Sequence, residues 1–273
     1  MDPLLPKQVR YQAALHADSL YSNRMSASQI PLTWLKPGEN FPPVETAWGA
    51  ESGAAGLLAA GGDLSVATLV RAYGQGIFPW FSDGQPILWW STDPRMVLQI
   101  ENFRVHRSFK KTLTRFVSDT ECALRFDSAF GTVIRACAHA PRQGHPGTWI
   151  LPEMVRAYED LHAAGVAHSV ETWRGNELVG GLYCVALGGA VFGESMFARE
   201  PDASKIALAG LVAFCRAHGL PLIDCQQNTG HLASLGAREI PREDFVRHVQ
   251  RNRELPNPQW HFKPLYWSYI LGT

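Results

Sequence analysis

The sequence carries no excess of charge of either sign, because 25 lysine and arginine residues balance 25 aspartate and glutamate residues. Proteins that coat nucleic acid without sequence preference are normally basic overall, so this balance excludes that class. Any contact with nucleic acid must therefore come from a local basic patch. Hydrophobic residues make up 46% of the 273 residues, which excludes a disordered polymer and supplies the core of one large domain or two ordinary ones.

Cysteines and long apolar runs are also scarce. The five cysteines are an odd, scattered set with no Cys-x-x-Cys motif, which is typical of reduced thiols in the cytoplasm. The longest uncharged run, residues 178–193, contains five glycines and is shorter than the ~20 residues of a membrane-spanning helix. Residues 1–30 contain five charged side chains and no continuous apolar stretch, so we expect no signal peptide and a cytoplasmic protein.

Several motifs of cofactor and metal chemistry are missing. There is no P-loop, no Gly-x-Gly-x-x-Gly after a strand and no nucleophile elbow. An Arg-x-x-Gly-x-Gly pattern at residues 71–76 matches the pyrophosphate loop of GNAT acetyltransferases, but it ends a predicted helix, where the dipole repels phosphate. Cys137, His139 and His145 are expected in a loop, without a second ligand pair at zinc-like spacing. We therefore expect no metal and no cofactor, and a substrate that is already activated.

Composition divides the chain into three parts. Residues 1–30 are polar and patternless and are interpreted as a loose N-terminal extension. Residues 31–95 are rich in proline, glycine and tryptophan around one helix that Ser65 can cap, which is typical of a small α+β domain. Residues 96–273 have a more regular pattern and are predicted to form the C-terminal, catalytic domain.

The regular part has a defined order of strands and helices. A helix that begins at Pro152 precedes three strand-like runs, with a Gly188-Gly189 turn signal between the last two. A helix, a strand and a further helix follow. The predicted strands are 167–173, 178–187, 190–197 and 220–226, and the later helices are 204–218 and about 242–251. This order predicts an α+β fold with a GNAT-like acyltransferase domain.

The predicted strand 220–226 ends in two polar side chains. Because side chains alternate between faces, Asp224 and Gln226 are expected to share one face with Leu222. A carboxylate and an amide at the end of an apolar strand are partly desolvated unless they meet a partner or a substrate. The alternative is a strand end that emerges into solvent, and the pattern alone does not separate the two.

The predicted strand 190–197 contains one carboxylate. Alternation is expected to place Glu194 on the same face as Phe192 and Met196. A glutamate between two large apolar side chains is either a structural residue in an ion pair, which is the more common case, or a binding-site carboxylate.

Residues 104–115 contain several basic side chains and no acidic residue, and we call this stretch the basic cluster. Such a cluster can bind phosphates. The alternative is the solvated face of a helix, which runs of charge usually are. Its five lysine and arginine residues are Arg104, Arg107, Lys110, Lys111 and Arg115.

Many short motifs in the chain resemble those of bacterial leucyl/phenylalanyl-tRNA–protein transferases, in the same order across about residues 31–250. Each motif is weak alone, but the set is specific. The motifs include Gly56-Leu-Leu-Ala-Ala-Gly-Gly-Asp-Leu-Ser65, Gly76-Ile-Phe-Pro-Trp80, Leu88-Trp-Trp-Ser91, Asp93-Pro-Arg95, Thr148-Trp-Ile150, Gly193-Glu-Ser-Met-Phe197, Ala203-Ser-Lys205, Ile223-Asp-Cys-Gln226 and His231-Leu-Ala-Ser-Leu-Gly-Ala237.

The resemblance implies an enzyme without a cofactor that moves Leu or Phe, and sometimes Met, from aminoacyl-tRNA to the α-amine of proteins that begin with Arg or Lys. This reaction marks those proteins for the bacterial N-degron pathway. We expect a monomer that does not bind membranes.

The resemblance also implies roles for individual residues. Asp224 and Gln226 match the pair that handles the attacking amine, and Glu194 matches a third active-site residue, which can pair with the cationic side chain of the acceptor. The implied substrate-binding residues are Trp80 and Trp149 around the terminal adenosine and the aminoacyl group, Tyr73, and the apolar pocket residues Leu182, Leu211 and Ile223.

Two other functions fit the residues. One is a related acyltransferase that uses acyl-CoA or builds cell-wall cross-bridges from aminoacyl-tRNA, although a well-placed pyrophosphate loop is missing. The other is a non-catalytic module that binds aminoacyl-tRNA or N-degrons, against which the three polar residues Asp224, Gln226 and Glu194 count.

Overall fold

Two β-sheets organise residues 31–140 and 150–272, the part of the chain that the structure, a computed structural model, describes. The smaller sheet has the strand order β1-β2-β4-β3, with β1 parallel to β2 and the other pairs antiparallel. Helix α1 lies between β2 and β3 in sequence. These elements are β1 (Thr33–Leu35), β2 (Leu57–Gly61), α1 (Val66–Tyr73), β3 (Phe78–Pro79) and β4 (Leu88–Trp90).

The larger sheet has seven strands in the order β11-β5-β10-β9-β8-β7-β6. Only β9 and β10 run parallel among its paired strands. The strands are β5 (Arg95–Gln99), β6 (Cys122–Phe126), β7 (Ala167–Arg174), β8 (Glu177–Leu187), β9 (Ala190–Ala198), β10 (Leu222–Gln226) and β11 (Arg238–Ile240). The remaining helices are α2 (Arg107–Ser118), α3 (Phe130–His139), α4 (Pro152–Ala163), α5 (Ala203–Ala217), α6 (Gly230–Ser234), α7 (Arg242–Asn252) and α8 (Ser268–Leu271).

Helices cover both faces of the larger sheet. Helix α5 is apolar around most of its circumference, and 11 of its 15 residues are buried, as expected for a helix enclosed in a core. It packs on β7, β8 and β9, with α2 and α8 in the same apolar cluster. On the opposite face, α3, α4, α7 and the small sheet share a second apolar cluster. The predicted α+β class is confirmed.

The helix predicted after Ser65 is confirmed, together with the reason for rejecting the pyrophosphate loop. The Ser65 hydroxyl accepts a hydrogen bond from the Thr68 N–H, and the helix ends at Tyr73. Arg71 therefore lies in the last turn of α1, where its guanidinium donates to the carbonyl oxygens of Gly38 and Glu39.

The loop predicted around Cys137 and His139 is wrong. Both residues lie in α3, and Cys137 is buried, because Val133, Ile134 and Cys137 form an apolar face that packs on the sheet. His145 lies outside the described residues. The helix ends at His139, just before Pro141.

A later segment of the chain clamps the β8–β9 hairpin. Gly188 has a φ of +55°, and its N–H donates to Asn257 Oδ1 over 2.8 Å. A Cβ atom at residue 188 would lie 2.5–2.6 Å from the carbonyl oxygens of Asn252, Arg253 and Leu255. Only glycine allows this backbone approach.

We expect Gly188→Ala to lower the free energy of unfolding by about 2 kcal/mol more than Gly219→Ala does. Gly219 is the matched control, because its φ of +67° imposes similar backbone strain but no atom lies within 4 Å of its added Cβ. Urea unfolding of both variants measures the difference. Equal losses would show that the segment does not clamp the hairpin.

Candidate active site

A cavity of about 280 Å³ opens where the parallel strands β9 and β10 separate. Pairing between these strands is limited to Val191 with Ile223 and Phe192 with Asp224. Past these pairs, the strands line the cavity together with α5 and residues 229–232. Its apolar wall is formed by Leu182, Met196, Leu208, Leu211, Ile223 and Leu232, and its polar wall includes Glu194, Asp224 and Gln226.

Both strands carry a β-bulge at the level of the cavity. On β9, Gly193 pairs with Cys184 and Ser195 with Tyr183, so Glu194 is the extra residue. A bulge redirects side chains and interrupts the ladder, which makes Glu194 available to the cavity.

The bulge on β10 has the same effect on Gln226. The register shifts between Asp224 and Gln226, so Cys225 is the extra residue. Gln226 has a φ of +54°, which is rare for a residue other than glycine and is common at functional sites. Its side chain reaches Glu194 rather than following the regular alternation of the strand.

The bulge makes one sequence prediction wrong. Phe192, Glu194 and Met196 do not all share one face, because Phe192 belongs to one apolar cluster and Met196 packs against the other. Glu194 lies on the side of Phe192, since both side chains contact Tyr73. Strict alternation fails wherever an extra residue enters a strand.

Glu194 is surrounded by three hydrogen-bond donors. Its Oε1 accepts from the Tyr73 hydroxyl over 2.7 Å and from Gln226 Nε2 over 3.0 Å. Its Oε2 lies 3.3 Å from the Tyr158 hydroxyl oxygen, within hydrogen-bond distance, and the hydroxyl groups of Tyr73 and Tyr158 also contact each other.

The environment changes the acidity of this group. Although part of Glu194 reaches the cavity, burial raises its pKa from 4.5 to about 7, opposed by the hydrogen bond from Tyr73 and reinforced by the negative charge of Asp224. Burial also raises the pKa of Tyr73 and of Tyr158 well above the usual value, so both remain protonated donors.

Asp224 lies in a buried ion pair rather than at an exposed strand end. Its two carboxylate oxygens accept from Nε and Nη2 of Arg95, each over 2.7 Å, and both side chains are at most 1% exposed. Asp224 Oδ1 also accepts from the backbone N–H of Gln226 over 3.0 Å. The carboxylate therefore neutralises a buried cation and holds Gln226 in place.

Arg95 is fixed on every side. Its Nη1 donates to the Gly76 carbonyl over 3.2 Å, and its guanidinium lies 4.7 and 4.4 Å from the ring centres of Phe78 and Phe245. The sequence patterns assigned no role to Arg95 or Tyr158. An arginine in the otherwise apolar run of β5 was the available signal, since such a charge needs a buried partner.

The structure brings most of the predicted substrate-binding residues together. Leu182, Leu211 and Ile223 line the cavity. Tyr73 does not line it but contacts Glu194, which does. Trp80 is not among the described residues that line the cavity. Trp80 directly follows β3, and its ring lies 5.4 Å from that of Trp90 in β4.

Two further predictions concern Trp149 and the basic cluster. Trp149 lies outside the described residues. The basic cluster lies on and just before α2, where all five of its lysine and arginine residues are exposed, while Phe109, Leu113 and Phe116 are buried on the other side of the helix.

Across residues 31–140 and 150–272, no three His, Cys, Asp or Glu side chains are grouped to hold a metal ion. No helix in the same described ranges is long and apolar enough to cross a membrane.

Comparison with known proteins identifies close relatives. The family model for "Leucyl/phenylalanyl-tRNA protein transferase" matches residues 97–250, and the model for the N-terminal domain of the same family matches residues 62–93. A leucyl/phenylalanyl-tRNA–protein transferase from Polaromonas sp. (strain JS666 / ATCC BAA-500) is 65% identical over 88% of this chain and 94% of the relative. A second relative, from Albidiferax ferrireducens, is 58% identical over 90% of this chain and 97% of the relative.

Solved structures are much more distant. The crystal structure of FemX is 10% identical and gives a TM-score of 0.38. The match covers 67% of this chain and 70% of the FemX chain. A GCN5-related N-acetyltransferase from Kribbella flavida is 11% identical, covers 86% and 93%, and gives a TM-score of 0.29. Likenesses this distant support no statement about function.

The raised pKa of Glu194 predicts how stability depends on pH. Between pH 4.5 and about 7, the folded protein holds a proton that the unfolded chain has released, so stability falls as the pH rises through this window. We expect Glu194→Gln to remove this fall.

Urea unfolding at several pH values measures the effect. Burial lowers the pKa of His218, His231 and His248, so they act in the opposite direction, but they do so equally in both proteins. Glu45→Gln, at an exposed position, is the matched control. The same pH slope in wild type and Glu194→Gln would contradict the prediction.

Proposed function

Since the chain belongs to the leucyl/phenylalanyl-tRNA–protein transferase family, and is therefore an aminoacyltransferase, we propose that its acceptors are proteins that begin with Arg or Lys. It transfers Leu, Phe or Met from aminoacyl-tRNA to their α-amine, which marks them for N-degron degradation. The observation that supports the transfer step is the Glu194–Gln226 pair on the wall of an apolar cavity.

The cavity suits an apolar aminoacyl side chain. Leu182, Leu211 and Ile223 form part of a wall on which a leucine or phenylalanine side chain can be buried, and such burial contributes about 1.5–3 kcal/mol. A polar side chain placed against these three residues loses its hydration without gaining a hydrogen-bond partner from them. The volume of about 280 Å³ limits the size of the accepted side chain.

The polar wall suits aminolysis of an ester. An aminoacyl ester is already activated, so the reaction needs a neutral amine, alignment and proton transfer. Gln226 donates its amide N–H to Glu194, which leaves its carbonyl oxygen to accept a hydrogen from the α-amine and orient the lone pair of that amine. Glu194, with a pKa of about 7, can accept or give a proton near neutral pH.

Asp224 acts by positioning in this proposal. Its charge is neutralised by Arg95, and it holds the backbone of Gln226. In this proposal Glu194 does not bind the cationic side chain of the acceptor. Its carboxyl oxygens already contact Tyr73, Tyr158 and Gln226, and its raised pKa reduces its negative charge near neutral pH.

The basic cluster is proposed to hold tRNA phosphates. Its exposed side chains extend from one side of α2, which gives a neutral protein a local cationic surface. Stacking of the terminal adenosine on Trp80 or Trp149 adds to binding. We place the reaction in the cytoplasm and expect a monomer.

A transfer assay tests the function. Labelled Phe-tRNA is incubated with a protein that begins with Arg and with the same protein beginning with Asp. We expect label only on the first, and only when the ester is intact. Transfer from acyl-CoA, or binding of Phe-tRNA without transfer, would support one of the alternative functions instead.

Asp224→Asn is expected to lower the single-turnover rate of transfer at least tenfold, with little change in tRNA affinity. The substitution keeps the size of the side chain but leaves Arg95 buried without its counter-charge, which costs about 3–5 kcal/mol of stability. Asp127→Asn is the matched control, since Asp127 pairs with His168 away from the cavity.

The double variant Asp224→Asn/Arg95→Gln separates positioning from proton transfer. The double variant replaces both members of the ion pair with neutral amides, so no unpaired charge remains buried. We therefore expect the free energy of unfolding and part of the transfer rate to recover. A stable double variant that is as slow as Asp224→Asn would show that the carboxylate itself takes part in proton transfer.

We expect replacement of Arg107, Lys110 and Lys111 by alanine to weaken tRNA binding at low salt. If three side chains contact phosphates, the logarithmic salt slope becomes less negative by about 2–3. The choice between Leu and Phe should not change, because it depends on the apolar wall. Affinities at several salt concentrations measure both effects.

A second triple variant is the control for that experiment. Lys36, Arg251 and Lys263 are exposed and lie outside the basic cluster, so their replacement by alanine changes net charge equally. Parallel salt slopes for wild type and the cluster variant would show that the phosphates are held elsewhere.

A further inference from the structure

Glu194, Tyr158 and Tyr73 form a closed ring of hydrogen-bonding groups. Glu194 Oε1 contacts the Tyr73 hydroxyl, the Tyr73 hydroxyl contacts the Tyr158 hydroxyl, and the Tyr158 hydroxyl contacts Glu194 Oε2. The ring therefore has three oxygen–oxygen contacts. Both tyrosine side chains are fully buried, so water does not replace these contacts.

The number of protons decides whether the ring is complete. Each hydroxyl has one proton to donate, so an ionised Glu194 leaves two protons for three contacts. When Tyr73 donates to Oε1 and Tyr158 donates to Tyr73, the contact at Oε2 has no proton. A proton on Oε2 supplies the third bond, since Oε2 then donates to Tyr158.

We propose that Tyr158 closes a hydrogen-bonded ring that keeps a proton on Glu194 in the resting enzyme, and that Glu194 gives this proton to the 3′ oxygen of the tRNA as that oxygen leaves. The transfer of the proton to the 3′ oxygen rests on the proposed function. The ring itself does not, because it consists only of side chains of the substrate-free enzyme.

The proton can reach either carboxyl oxygen without leaving the ring. A shift of all three protons by one contact moves the acidic proton from Oε2 to Oε1, the oxygen that also contacts Gln226 beside the cavity. Tyr158 is thus a positioning residue, which acts through Glu194 and does not itself touch the substrate.

The step balances in atoms and charge. The nitrogen of the neutral α-amine bonds to the ester carbonyl carbon, and the bond from that carbon to the 3′ oxygen breaks. The 3′ oxygen takes the proton of Glu194 and leaves as a hydroxyl group. The nitrogen, positively charged after attack, gives one proton to the Glu194 carboxylate, which restores the ring.

Other ionisable groups act on Glu194 from the neighbouring strands. Asp224 on β10 favours the protonated carboxyl by charge repulsion, and Arg95 on β5 partly offsets it. Burial raises the pKa of Cys184 on β8 well above its usual value, so this thiol remains neutral. The balance of these charges is the same with and without the Tyr158 hydroxyl.

A carboxyl titration of Tyr158→Phe tests the ring. Removal of this hydroxyl takes two hydrogen bonds from the protonated ring and one from the ionised ring. We expect the pKa of Glu194 to fall by about one unit, measured by ¹³C NMR in the substrate-free enzyme. Tyr266→Phe, which removes a hydroxyl that contacts His218 instead, should leave it unchanged.

Without a closed ring, the pKa of Glu194 should change in the opposite direction. If Tyr158 only donates to an ionised carboxylate, Tyr158→Phe raises the pKa of Glu194. A rise or no change overturns the ring.

The pH profile of single-turnover transfer tests whether Glu194 gives its proton to the leaving 3′ oxygen. We expect its high-pH limb to move to lower pH in Tyr158→Phe by the same amount as the titration, with unchanged tRNA affinity. A shifted titration with an unshifted profile would overturn the role in the leaving step. Absence of any transfer in wild type would instead contradict the proposed function, while the titration still decides the ring.

An infrared measurement covers the case in which Tyr158→Phe does not fold. The difference spectrum between wild type and Glu194→Gln at slightly acid pH should contain the carbonyl band of a hydrogen-bonded carboxylic acid. The band should disappear as the pH rises above about 7. Its absence at slightly acid pH would overturn the ring.

Discussion

The buried ion pair of Arg95 and Asp224 joins the small sheet to the strand that carries the site. Neither charge is stable in this interior without the other, so the two strands β5 and β10 must be in register before either side chain can be buried. Arg95 also holds the Gly76 carbonyl and packs on Phe78, both close to the small sheet. The position of Gln226, and therefore the geometry of the cavity wall, depends on this pair.

Two neighbouring carboxyl groups have opposite tasks because their surroundings differ. Asp224 is paired with the guanidinium of Arg95, while Glu194 faces hydroxyl groups, an amide and the negative charge of Asp224. Environments that separate the acidity of adjacent groups allow one of them to exchange protons near neutral pH while the other serves as a fixed charge. The fold achieves this separation within one pair of adjacent strands.

Much of this arrangement was accessible from the sequence, because periodicity and turn residues set the main elements. The strand runs before and after Gly188-Gly189 and the helix after Ser65 follow directly from those patterns. Polar side chains within two apolar strand patterns led to Glu194 and Gln226, and the resemblance to a family gave them roles. Alternation along a strand, however, assumes an unbroken ladder, and the bulges at Glu194 and Cys225 break it. Long-range partners such as Arg95 and Tyr158 are set by tertiary packing, which no local pattern encodes.

The clamp on the β8–β9 hairpin has a consequence for biosynthesis. Residues 252–257 hold the hairpin at Gly188, and the hairpin includes β9, which carries Glu194. A chain emerges from the ribosome from its N-terminus, so the strands of the larger sheet are synthesised before residues 252–257 are available. The hairpin that carries Glu194 therefore gains these contacts only after the strands of the larger sheet have been synthesised.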